Sequence, residues 1–112
     1  MSATPSTERR WGTRIEVDQP VRLDLARGRS IPGRMRDASV SGALIECTEE
    51  LPVFTPVRVE IPAQADSGAA PIQMSARVVR AEHPCIGVEW RDIAPDAYTH
   101  WLQANGLVAQ AL

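Results

Sequence analysis

Two short stretches hold the residue types that could do chemistry. In the first, ERRWGTR at Glu8–Arg14, three arginines occur in seven residues, and Arg10 and Arg14 are four apart. A guanidinium is planar, permanently charged and forked, so it can make two parallel bonds to an anion and stack on a flat ring. The stretch is either a solvated N-terminal arm or a clamp for something flat and negative, and it does not decide between the two by itself. The second stretch, RDASVSGALIE at Arg36–Glu46, carries Asp37, Ser39 and Gly42. Asp and Ser often bond their own backbone in turns, and Gly supplies a positive φ. Taken alone, this is a well-made turn.

Composition narrows the classes. The chain has 112 residues, 44% hydrophobic and 23% charged, which suits one small globular domain with a single core. The net charge is −2, against the strong positive excess of proteins that hold DNA or RNA by their phosphates, so no DNA partner is expected. All 12 basic residues are arginine, so every side-chain cation is forked and able to stack. No apolar run approaches the roughly 20 residues of a membrane-spanning helix, so no membrane insertion is expected. The first residues, MSATPSTERR, lack the apolar segment of a secretory signal. The expected compartment is therefore the cytoplasm, with Cys47 and Cys85 as reduced, half-buried thiols. The two cysteines form no C-x-x-C, and no metal site is expected.

The elements that must position these residues are mostly strands. Val21, Leu23 and Leu25 alternate with Arg22 and Asp24, the period of two of a half-buried strand. Further alternating runs follow: Ile31 to Asp37, Ala43 to Cys47, Val57 to Ile61, Ile72 to Val78 and Ile86 to Trp90. Gly28, the DASVSG segment, the long PAQADSGAAP segment and AEHP read as connections. Pro95 then opens a helical pattern with Ala94, Ala97, Tyr98, Trp101 and Leu102 on one face, closed by Asn105-Gly106. The expected fold is all-β: a small six-stranded antiparallel barrel with a flexible N-terminal arm and one short C-terminal α-helix. Residues 1–14 are the arm, 15–106 the barrel with its helix, and 107–112 a tail. A closed barrel is preferred to a sandwich because the sequence does little to protect strand edges.

Arg10-x-x-x-Arg14, then 22 intervening residues, then Asp37-x-Ser39-x-x-Gly42 at the start of such a domain resembles the PilZ domain family. The segment Ile86–Trp90, IGVEW, resembles that family's late strand. The resemblance implies a receptor for cyclic di-GMP, a ligand with two guanines and two phosphodiesters, and no resident cofactor. It implies that Arg10, Arg14, Asp37, Ser39 and Gly42 form the site, with the arm folding over the ligand and Asp37 and Ser39 on the barrel surface beneath. The chemistry agrees. Arginine matches the N7 and O6 acceptors of guanine, and a carboxylate can accept from the N–H donors of its other edge. Gly42 removes a side chain where backbone and ligand crowd, or lets the turn adopt a left-handed residue.

Arg9 is a further candidate phosphate contact, beside Glu8. Trp11, between the motif arginines, either packs on the barrel or lies against the ligand. Arg36, sharing a strand face with Arg34, could extend the anion site. With no output module in the sequence, an effector protein is the expected second partner, and monomer and homodimer are both compatible. Three alternatives compete. A PilZ-like adaptor that binds only protein is the strongest. A single-stranded nucleic-acid binder is opposed by the charge. An enzyme built on Ser39, Asp37, His83 and His100 lacks a nucleophile elbow or metal-ligand spacing.

Overall fold

The computed structural model describes residues 13–63, 70–92 and 94–106. Six strands, β1 (Ile15–Asp24), β2 (Ser30–Ala38), β3 (Gly42–Glu46), β4 (Pro56–Ile61), β5 (Ile72–Glu82) and β6 (Cys85–Trp90), are followed by helix α1 (Asp96–Ala104). They close into a barrel in the order β1-β2-β3-β6-β5-β4, every neighbouring pair antiparallel. Pairing of Arg22–Asp24 in β1 with Arg58–Glu60 in β4 completes the ring. Closure consumes the hydrogen-bonding edges that an open sheet of this composition would expose.

The alternation expected from the sequence fills the interior. Leu23, Met35, Ile45, Val59 and Val78 are fully buried, each from a different strand, and Ile86 and Val88 of β6 join them. Cys47 is buried and Cys85 half-buried, both as free thiols. The barrel departs from simple alternation at three bulges, between Glu16 and Gln19 in β1, at Arg36 in β2 and at Val79 in β5. Strand β1 begins at Ile15, earlier than the run at Val21–Leu25 suggests: Ile15, Val17, Gln19, Val21 and Leu23 share the less exposed face, and the polar Gln19 among them interrupts the apolar pattern. Pro20 lies outside the β1–β4 ladder, at an edge-like position that tolerates a missing N–H. Strand β5 likewise continues past Val78 to Glu82 beyond its bulge.

Helix α1 buries Tyr98, Trp101 and Leu102 against the barrel. Ala97, expected on that face, is exposed, so the apolar stripe is narrower than its spacing suggested. Tyr98 sits edge-on to Trp90, with ring centroids 5.3 Å apart, and stacks on Trp101 at 5.8 Å. Among the described residues no helix is long and apolar enough to cross a membrane.

Candidate functional site

Asp37 owes its position to the bulge in β2. Met35 opposes Ile45 and points inward; Asp37 then opposes Leu44, so Arg36 is the extra residue. With unbroken alternation Asp37 would follow Arg36 inward and Ala38 would point out; Ala38 instead is fully buried. The phase shift leaves Arg36 and Asp37 together outside, between two inward residues, and re-aims the carboxylate at the surface. Arg14, immediately before β1, donates from Nη1 to Asp37 Oδ1. Glu16, two residues on, is the register partner of Asp37, so the ladder itself delivers Arg14 to this corner. The side chains retain 38% and 25% of their exposure, which places the pair among partly solvated ion pairs worth about 0–1 kcal/mol. Such a bond holds the guanidinium nearby and yields to a stronger anion.

Ser39 is placed differently from the expectation. It is fully buried rather than on the barrel surface. Its N–H donates to Gly42 O at 2.9 Å, closing the turn between β2 and β3, and its hydroxyl accepts from Ser41 N–H at 3.2 Å. Its carbonyl oxygen accepts from the Tyr98 hydroxyl at 2.7 Å and from Trp90 Nε1–H at 3.4 Å. The turn is thus tied to β6 and to α1 at one peptide. Burial pushes the Tyr98 hydroxyl far above its ordinary pKa, with opposing influences from nearby Arg14 and Asp37, so it remains a donor. Tyr98 was read from the sequence only as core; its spacing on the helix gave no sign of the bond to Ser39. Tyr98→Phe is expected to cost about 1–2 kcal/mol in urea unfolding, because the Ser39 carbonyl keeps only the longer bond from Trp90.

Gly42 is glycine for a reason the motif did not disclose. Its φ is not positive, and it is buried in β3 opposite Glu89. A Cβ there would lie 2.1 Å from Val88 O and 3.2 Å from Val88 C. The crowding is with the barrel's own β6, and of the two readings of Gly42 the left-handed one does not apply.

Arg36 is bound on both sides. Its Nε lies 2.8 Å from Glu46 Oε1 and its Nη1 3.3 Å from Asp18 Oδ1. The hydrogen bond to Glu46 raises its already high pKa, and Arg34, at 2.8 Å from Asp18, pulls that carboxyl below the usual range. These charges are largely matched within the barrel. Arg9, Arg10 and Trp11 lie outside the described residues, as does most of the arm. His83 and His100 are exposed, and no group of three or more metal-ligating side chains occurs among the described residues.

The PilZ domain model matches residues 8–104, which takes in the two motif stretches, the whole barrel and the helix. Among solved structures, the PilZ domain of CeSA from a cellulose-synthesizing bacterium is similar at a TM-score of 0.64 and 21% identity, over 84% of this chain and 95% of that one. At that identity the likeness speaks for the barrel alone. No curated protein sequence matches the chain.

Proposed function

The chain belongs to the PilZ domain family, and on that premise we propose that it is a cyclic di-GMP receptor that reports to a separate effector protein. One observation carries the proposal: the Arg14 guanidinium and the Asp37 carboxylate, 23 positions apart, meet in a single corner on the outside of the barrel. The corner offers a forked cation for a guanine edge or phosphodiester and a carboxylate for the N–H edge of a guanine. Arg10, four residues before Arg14 in sequence, is the second cation. Ser39 and Gly42 act from below, holding the turn in shape and to β6. Arg14 exchanges a weak internal ion pair for the ligand, so the segment before β1 changes its attachment when nucleotide arrives.

The protein-contact part of the proposal has its own support. Phe54 is 72% exposed with φ 78°, beside exposed Val53, and its N–H donates to Val78 O, next to exposed Val79. A non-glycine residue held in the left-handed region with its ring in water is costly unless something uses it. This apolar patch suits the effector.

Titration calorimetry with an accurate protein concentration tests the nucleotide. Heat and saturation are expected with cyclic di-GMP, with GTP and cyclic GMP clearly weaker. Silence with cyclic di-GMP at tens of micromolar, in about the ordinary range for protein–ligand binding, sinks the receptor and leaves the adaptor.

A further inference from the structure

Of the four large apolar side chains exposed among the described residues, three lie together: Val53, Phe54 and Val79. The segment from Pro52 to Thr55 turns the chain into β4. Thr55 N–H donates to Pro52 O at 3.1 Å, and the Thr55 hydroxyl to the same oxygen at 2.6 Å. Phe54 stands third in that turn, with φ 78°. Glycine or asparagine is favoured there, because a Cβ is strained in the left-handed region. This turn carries a benzyl group instead and fixes it in place. Phe54 N–H donates to Val78 O at 2.7 Å, and Val78 N–H to Thr55 O at 2.9 Å, so the turn is laced to β5. The bulge in β5 supplies the ring's neighbour. Val79 is the extra residue between Val78 and Arg80, and it is exposed where Val78 is fully buried. The patch is therefore small but set on a rigid base.

Charge decides what can cover it. Arg80 and Glu82 follow Val79 on the outer side of β5, opposite Gly87 and Cys85. Both are exposed, and neither has a hydrogen bond or ion pair among the described residues. Elsewhere on the barrel outward charges are largely matched, Arg77 with Glu89, Arg36 with Glu46, and Arg22 with Asp24 and Glu60. A wholly acidic partner would satisfy Arg80 and repel Glu82, and a wholly basic one would do the reverse. The same strand run in the opposite direction satisfies both, with each Arg80 facing the Glu82 of the other copy. That is the self-complementarity a two-fold pair requires. In the ring order, β5 stands three strands from β2 in either direction, so the patch faces away from the Asp37 corner.

We propose that this face covers itself: two copies of the chain meet through Val53, Phe54 and Val79 about a two-fold axis, with Arg80 of each against Glu82 of the other. The patch assigned above to the effector is then closed in the resting protein, and the effector enters by displacing the second copy. The self-contact needs no nucleotide; only its opening rests on the effector proposed above. The patch is small beside the ~800 Å² per partner of a standard interface, so the pair forms with a dissociation constant on the order of 100 μM. Sedimentation equilibrium of the full chain without nucleotide, from about 10 μM to about 1 mM, tests it. A monomer–dimer equilibrium with no larger species is expected. Phe54→Gly is expected to weaken the pair about tenfold or more, as loss of an aromatic anchor does. The barrel of that variant stays folded by circular dichroism, because glycine is the residue that a φ of 78° favours. Arg80→Glu weakens the pair, and Arg80→Glu combined with Glu82→Arg restores it, which unspecific apolar association would not do. A chain that stays monomeric at the highest concentration, a Phe54→Gly variant that pairs as tightly, or a double exchange that recovers nothing overturns the proposal and leaves the patch to the effector alone. Every reading is taken without cyclic di-GMP, so failure of the pair and failure of the receptor are distinguished.

Discussion

Gly42→Ala is expected to destabilise the barrel by about 3 kcal/mol, at the upper end for inserting one methyl into a packed site. The added carbon would stand 2.1 Å from the carbonyl oxygen of Val88, and neither partner is the free end of a side chain. Relief requires β3 and β6 to separate where Gly42 pairs with Glu89 and Ala43 with Val88. The same movement pulls on the turn that Ser39 closes through Gly42 O, and on the Trp90 N–H bonded to Ser41 O at 2.9 Å. Gly28→Ala supplies the contrast. Gly28 has φ 73° and nothing within 4 Å of its Cβ position, so its cost is conformational alone, about 1–2 kcal/mol. Urea unfolding of both variants separates crowding from backbone strain. A Gly42→Ala protein as stable as the unaltered chain would remove the crowding explanation. Loss of nucleotide binding in that variant would report a deformed turn, and so is no measure of a ligand contact at this position.

What could be read from the sequence follows from how local each feature is. The alternation of Val57, Val59 and Ile61 requires only neighbouring residues, and β4 is found where it was expected. The helix and its closing Asn105-Gly106 are legible for the same reason, whereas the closed barrel follows from six short strands with unprotected edges. Bulges are not legible, because an extra residue is defined by the strand opposite. That is why β5 is longer than its pattern, and why Asp37 could not be seen to turn outward beside Arg36. Ser39 looked like a surface hydroxyl because its burial is imposed by Tyr98, 59 positions away. Gly42 looked like a turn residue because the atom it avoids belongs to Val88. In both cases the motif residue was identified and its physical reason lay on another strand or on the helix.

Arg14→Ala is expected to weaken cyclic di-GMP binding by about 1.5–3 kcal/mol, roughly ten- to a hundredfold, the scale of hydrogen bonds to a charged group. The same substitution should change the unfolding free energy by less than about 1 kcal/mol, because the pair it breaks with Asp37 is partly solvated. This inequality separates a clamp from a strut. A residue that served only to fasten the chain to β2 would show the larger effect in stability and the smaller in affinity. Arg10→Ala is expected to match Arg14→Ala in affinity and to leave stability untouched. Lysine at either position should recover little, since it keeps the charge and loses the fork. Asp37→Asn completes a double-mutant cycle with Arg14→Ala. If both side chains meet the same guanine, the two losses are strongly non-additive, and the coupling appears in binding far more than in folding. Additive losses would mean that the two groups serve different parts of the ligand. Unchanged affinity in both arginine variants would leave the corner as an ion pair on a barrel and nothing more.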